Sequence, residues 1–163
     1  MTTLVLHEHD TIISADARAP IVAAVDSSAA SWAAIAEAVQ LGLELDAPIV
    51  FLYVRRRPAR SFGAPVYQRR LTKEMARARV VLDRALAVAA HAGVDAETEI
   101  LEGAPRRRIA EFARDRQARL VVVGSRQRRL GRSVSIGVVR GAGRAVVVAR
   151  DLQRVTYASP ASA

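Results

Sequence analysis

The chain has 163 residues, of which 51% are hydrophobic, so it fits one domain with a sizeable core and is excluded from the disordered class. It has no cysteine, and it has neither an apolar run long enough for a membrane span nor a basic N-terminus followed by an apolar stretch, so we expect a cytoplasmic protein without disulfides. The net charge is +9, and every basic residue except Lys73 is arginine, which indicates either a surface for anionic partners or a GC-rich coding sequence.

Residues 1–19 predict a flexible N-terminal tail. The stretch from His7 to Asp10, HEHD, has the residue types of a metal site. No second cluster elsewhere in the sequence would complete a coordination shell, so a solvated terminus is favoured. His91 stands alone near the end of a helix and is predicted to be a surface residue.

The first half of the domain alternates strands and helices. The apolar run PIVAAV from Pro20 predicts a strand that ends at Asp26, and two serines that can cap a helix follow it. That helix is predicted to face the core with Trp32, Ile35, Ala36, Val39 and Leu43. The run from Pro48 to Val54 predicts a second buried strand, and a loop to about Gln68 precedes a long helix that Gly93 ends.

The second half continues the alternation. Residues 94–101 alternate apolar and acidic side chains and predict a half-exposed edge strand. Pro105 suits the first position of a short helix. The apolar run from Leu120 to Val123 stops at Gly124 and predicts a fully buried strand. A last strand is predicted over Ala145–Ala149, and residues 151–163 predict a second flexible tail.

This order predicts an α/β fold: a single-domain, three-layer α/β/α arrangement over residues 20–150 with a parallel sheet and right-handed crossovers. Residues 133–143 fit either a helix or half of a hairpin around GAG at 141–143, because Gly137 and Gly141 weaken a helix.

Three stretches together resemble the universal stress protein family: IVAAVDSSAAS at 21–31, residues 100–126 and SVSIGVVRGAGRAVVVA at 133–149. The resemblance implies a Rossmann-like, five-stranded parallel sheet in the order 3-2-1-4-5, with a helix over 133–143. It also implies that Asp26 and Gly124 lie at one edge of the sheet, where strands 1 and 4 are neighbours.

The resemblance to nucleotide-binding members implies a ligand site. In those members an Asp after strand 1 holds adenine, the last residue of strand 2 lines the pocket, and a loop G-x-x-G, nine residues, G-[ST] holds phosphates through backbone N–H groups and hydroxyls. The implied cofactor is ATP or another adenine nucleotide; the alternative is no cofactor. The predicted ligand-binding residues are Asp26, Val54, Gly124, Arg126, Gly131, Ser133, Val134 and Ser135.

The loop departs from the family pattern. Gln127 stands at the position of the second glycine, and placing SVS on the serine element leaves the loop short, with Gly131 one place early. Keeping the nine-residue spacing reaches Gly137 instead, where Val138 replaces the hydroxyl. Both alignments stay open, and either one gives the loop fewer backbone donors for a triphosphate.

Arginines follow three of the predicted strands, and the topology brings them to one rim: Arg55–Arg57, Arg106–Arg108, Arg126, Arg128, Arg129 and Arg132. Two interpretations remain open. The rim is an anion site, which would offset the repulsion between arginines and the helix N-terminus at 106–108, or it is a set of solvated loop charges.

The sequence features bear on four candidate functions. A regulatory protein that binds an adenine nucleotide or another phosphorylated ligand is favoured, and it is expected to form a homodimer; its partner could also be another anionic small molecule. The alternative is a ligand-independent homodimeric module that pairs through its last strand, Ala145–Ala149, as the family resemblance implies. An enzyme is disfavoured because no P-loop or Ser-His-Asp set is present, although slow nucleotide hydrolysis stays open if ATP binds. Nucleic-acid binding is disfavoured because stacking aromatics are scarce at the rim.

Overall fold

The computed structural model describes residues 5–6, 19–56, 63–124 and 145–149. Its helices are α1 (Ala30–Leu45), α2 (Gly63–Ala92) and α3 (Pro105–Asp115). None of the three is long and apolar enough to cross a membrane. Its strands are β1 (Val5–Leu6), β2 (Ile21–Val25), β3 (Ile49–Arg55), β4 (Ala96–Glu102), β5 (Leu120–Gly124) and β6 (Ala145–Ala149).

The strands form one sheet in the order β1-β6-β5-β2-β3-β4. The pairs from β6 to β4 are all parallel, which confirms the predicted five-stranded order 3-2-1-4-5 when the strands are counted from β2. Residues 125–144 lie outside the described ranges, so the choice between helix and hairpin over 133–143 is not decided by this sheet.

The short strand β1 lies inside the predicted N-terminal tail. Val5 pairs with Val147 and Leu6 with Val146, both antiparallel. The apolar run LVL at 4–6 is too short to show the periodicity that would predict a strand. The consequence is that β6, the strand at which the family resemblance implies dimer pairing, carries a neighbouring strand at these two positions.

The core has two halves, one on each side of the sheet. Alternate residues of the central strands point to α1 and α2 on one side and to α3 on the other, as expected for a sheet covered on both faces. Phe51, at 0% exposure, is the largest fully buried side chain and lies on the α1–α2 side, and Phe112 of α3 covers the opposite side.

Helix α1 is rotated from its predicted orientation. Trp32 and Leu43, predicted to face the core, are 44% and 53% exposed, and Ala36 is exposed as well. The buried face carries mostly small residues, including Ser31 and Gly42, together with Ile35 and Val39, which were predicted correctly. The small residues of this face let the helix pack closely on the sheet, and Trp32 and Leu43 lie outside that interface.

Helix α2 begins earlier than predicted. The segment around Gly63 and Pro65 has turn residues and predicts a loop to about Gln68, yet α2 starts at Gly63. Proline is tolerated in a first helical turn because the N–H that it lacks would have no partner there. The buried side of α2 carries Ala78, Leu82, Ala85 and Ala89 at helical spacing.

Candidate functional site

The carboxyl ends of β2 and β5 meet at one edge of the sheet. These strands are parallel neighbours, with Ile21 opposite Leu120 and Ala24 opposite Val123. The chain leaves β2 toward β3 on one side and reaches β6 from β5 on the other, so the strand order reverses here. Open α/β sheets hold ligands at such switch points. Asp26 directly follows β2 and Gly124 ends β5, so the fold brings both to this edge.

Asp26 is exposed but anchored to the start of α1. Its Oδ1 accepts hydrogen bonds from the Ser28 backbone N–H (2.9 Å), the Ser28 hydroxyl and the Ser31 hydroxyl (2.9 Å). The backbone N–H of Asp26 in turn donates to Ser31 Oγ at 2.6 Å, and Ser31 is only 5% exposed. Because these bonds fix both the main chain and the carboxylate, Asp26 presents a preorganised acceptor at the edge.

Gly124 is required for close packing between β5 and α1. A Cβ placed there would lie 2.3 Å from the Ala30 carbonyl oxygen and 2.7 Å from its carbonyl carbon. The family resemblance gives this glycine a role in phosphate binding. The structure gives it an additional role, since a larger residue would push the first turn of α1 away from the sheet.

Tyr53 lies on the α1–α2 side of this edge and is nearly buried. Burial raises the pKa of its hydroxyl above the ordinary value of 10.0, and the carboxylates of Glu74 and Asp26 raise it further. Arg77 and a hydrogen bond with the Ser27 side chain act in the opposite direction. Tyr53 is therefore a neutral hydroxyl at physiological pH, linked to the loop that carries Asp26.

The other predicted site residues are distributed differently. Val54 packs its side chain into the apolar cluster on the α3 side of the sheet, opposite to the face that holds Tyr53. Five further predicted residues lie outside the described ranges: Arg126, Gly131, Ser133, Val134 and Ser135.

Carboxylates pair with several of the predicted rim arginines. Arg55 forms an ion pair with Glu102 of the neighbouring strand. Arg107 and Arg108 both bind Glu111, at 2.6 Å and 3.0 Å, and the hydrogen bond from Arg107 is the main cause of the lowered pKa of Glu111. At the start of α3, Glu111 thus offsets the repulsion that one of the two interpretations assigned to a bound anion.

Some cationic donors at this edge keep hydrogen-bonding capacity. Arg55 Nη1 and Arg108 Nε are buried without a hydrogen-bond partner in the described part of the chain. Arg56 and Arg106 are exposed to solvent. Arg57 and the arginines after β5 lie outside the described ranges.

A cleft of about 440 Å³ opens beside Asp26, between the start of α1 and the middle of α2. We call it the α1–α2 cleft. The sequence did not predict it, because Trp32 was expected in the core and the relative placement of two helices is not encoded in either pattern alone. Its lining residues are Asp26, Ser27, Ser28, Ser31, Trp32, Ile35, Lys73, Ala76, Arg77, Val80, Val81 and Arg84.

Within the described ranges, no group of three or more His, Cys, Asp or Glu side chains is placed to hold a metal ion. His7 and His9 lie outside those ranges, so the HEHD interpretation stays a prediction.

The sequence matches the model of the Universal stress protein family over residues 18–150. No curated protein has a significant sequence match to the chain.

Solved structures of similar proteins agree in fold. The universal stress protein UspA from Lactobacillus plantarum is 28% identical, with a TM-score of 0.71, and the match covers 83% of this chain and 100% of that one. A universal stress protein solved in complex with cAMP is 26% identical, with a TM-score of 0.60 and coverage of 80% and 94%. An Arabidopsis thaliana member solved with AMP is 23% identical, with a TM-score of 0.61 and coverage of 82% and 92%.

Proposed function

Because the chain belongs to the universal stress protein family, we propose that it is a regulatory protein that binds an adenine nucleotide where β2 and β5 end. One observation carries the proposal: Asp26 and Gly124 meet at the switch point of the sheet, and Asp26 is held ready by Ser28 and Ser31. The 26%-identical family member solved with cAMP supports adenine nucleotides as the ligand class.

In this proposal the Asp26 carboxylate accepts a charge-assisted hydrogen bond from the exocyclic amine of adenine. The phosphates face the segment after Gly124, where Arg126 supplies a guanidinium and Ser133 and Ser135 supply hydroxyls. Gly131, Val134 and Val54 line the remaining walls. We propose that the protein binds the nucleotide without hydrolysing it and that it is located in the cytoplasm.

Isothermal titration of the full chain with ATP, AMP and cAMP tests the proposal, after any co-purified nucleotide has been removed and identified. We expect binding of one nucleotide per chain. Asp26→Asn keeps an acceptor oxygen for the serines but loses the charge, so affinity should fall by about tenfold, as for one charge-assisted hydrogen bond. Asp95→Asn, an exposed aspartate away from this edge, is the matched control and should bind as wild type.

A second pair of variants tests the proposed contacts with the phosphates. Arg126→Ala should weaken ATP more than it weakens adenosine, whereas Arg79→Ala, at an exposed position of α2 outside this edge, should change neither. A chain that purifies empty and gives no heat with any of the three nucleotides would refute nucleotide binding.

The second candidate is the ligand-independent homodimer that pairs through Ala145–Ala149. The β1 strand restricts this pairing, because Val5 and Leu6 occupy the outer side of β6 opposite Val147 and Val146. A partner strand would have to displace β1 or pair beyond it. Light scattering of the full chain tests the module, and a monomer at micromolar concentration would contradict it.

A further inference from the structure

The α1–α2 cleft has an apolar wall that the fold leaves open to solvent. Trp32 and Ile35 of α1 face Val80 and Val81 of α2 across it. Trp32 and Val80 are 44% and 53% exposed, so two large apolar side chains lie on the surface at one place. These side chains line one concave cleft instead of being scattered singly over the surface, and concave, mostly apolar clefts are where proteins bind small organic ligands.

The cleft is also cationic. Lys73, Arg77 and Arg84 line it, against one carboxylate, Asp26, whose Oδ1 already accepts bonds from Ser28 and Ser31. Arg77 is paired with Glu74 at 3.2 Å, while Arg84 lies over the Trp32 ring with its guanidinium carbon 5.8 Å from the ring centroid. Lys73 makes no ion pair with any other described residue.

We infer that the α1–α2 cleft binds a small amphipathic organic anion, distinct from the nucleotide proposed above. The apolar body of the ligand lies against Trp32, Ile35 and Val81, and its anionic group lies among the three cations. The volume of about 440 Å³ is within the range of known ligand pockets. Of the described residues predicted for the nucleotide, Asp26 alone lines this cleft, while Gly124 and Val54 do not.

The test uses a dye pair that differs in charge. Anilinonaphthalene sulfonate has an aromatic body and one anionic group, and N-phenyl-1-naphthylamine is its neutral analogue. Trp32 is the single tryptophan of the chain, so energy transfer from Trp32 to the dye reports a dye bound near this residue, and the variants below locate the site. We expect the sulfonate to bind more tightly than the neutral dye, and the difference to shrink as the salt concentration rises, because salt screens exposed charges.

Variants of α2 locate the site. Arg84→Gln should weaken the sulfonate by about three- to fivefold, the loss expected for one exposed charge pair, and should leave the neutral dye unchanged. Arg79→Gln removes the same charge from an exposed position of the same helix that does not line the cleft, so it should bind like wild type. Ala76→Phe fills the cleft and should abolish binding of both dyes, and circular dichroism checks that this variant is folded.

Three results would overturn the inference. The first is equal affinity for the two dyes in the wild type. The second is equal loss in Arg84→Gln and Arg79→Gln. The third is competitive displacement of the sulfonate by saturating AMP, which would make the cleft part of the nucleotide site. Nucleotide titration of Ala76→Phe separates the two proposals, because a nucleotide held at the β2–β5 edge should still bind when the cleft is filled.

Discussion

Replacing Gly124 with alanine should disturb the contact between β5 and α1. The added Cβ would stand 2.3 Å from the carbonyl oxygen of Ala30, although atoms pack comfortably only at about 3.5 Å or more. The obstacle is main chain, so no side-chain rotation can relieve it. Either the first turn of α1 or the end of β5 has to move by about 1 Å.

The size of the effect follows from two opposing contributions. Overpacking of this kind costs about 1–3 kcal/mol, whereas replacing glycine stabilises by about 0.4–1 kcal/mol through the unfolded chain. The midpoints of the two ranges leave a net loss in the free energy of unfolding of about 1.3 kcal/mol, so we expect a loss of about 1–2 kcal/mol. For a domain of this size the midpoint of thermal unfolding should fall by about 2–8 °C.

Urea and thermal unfolding followed by circular dichroism measure this loss. Gly93→Ala is a useful comparison: no atom lies within 4 Å of its added Cβ, so its cost comes from its φ of +77° alone. Only Gly124→Ala should also weaken nucleotide binding, because the turn that it displaces holds Ser31 and hence Asp26. An unfolding free energy of Gly124→Ala within about 0.5 kcal/mol of wild type would refute the steric argument.

Three further changes test other parts of the structure. Tyr53 has a raised pKa, so its contribution to stability is complete below about pH 10 and is lost as pH rises through the raised value. Absorbance titration at alkaline pH should show one tyrosine that ionises late, and Tyr53→Phe should remove it. Three tyrosines that ionise at the same pH would contradict this prediction. Glu111 has a lowered pKa, so its contribution to stability is present above the ordinary pKa of 4.5 and is lost as pH falls through the lowered pKa. In thermal unfolding, Glu111→Gln should therefore lose less stability on acidification than wild type. Phe51→Ala empties a fully buried site and should cost about 3–5 kcal/mol in urea unfolding, and a loss below 1 kcal/mol would show that the core relaxes around it.

The sheet could be predicted from the sequence because each central strand is a short apolar run bounded by turn residues. A run such as that from Leu120 to Val123 fits a central strand of a parallel sheet, where both faces of the strand are buried. The family resemblance then supplied the strand order. The orientation of α1 could not be predicted in the same way, because its largest apolar residue, Trp32, lies outside the core. Small residues such as Gly42 and Ala30 let the helix approach the sheet more closely than a bulky face would.

The site was predictable where it depends on topology and not where it depends on side-chain partners. Asp26 and Gly124 meet at the switch point as expected, since parallel strands put their carboxyl ends at one edge. The pairing of the arginines with Glu102 and Glu111 was missed, because one partner comes from a neighbouring strand and the other from the next helical turn. The α1–α2 cleft needs two helices at a particular separation, which neither periodicity specifies.

The β1 strand also constrains the order in which strands can join the sheet while the chain is being synthesised. Its partner positions in β6 lie about 140 residues further along the sequence, in the last strand that the structure describes. On a ribosome, β2, β3 and β4 can pair as they emerge, but Val5 and Leu6 must wait until β6 has docked beside β5. The first strand of the sequence is thus the last to join the sheet, and a stalled or shortened chain would present it unpaired.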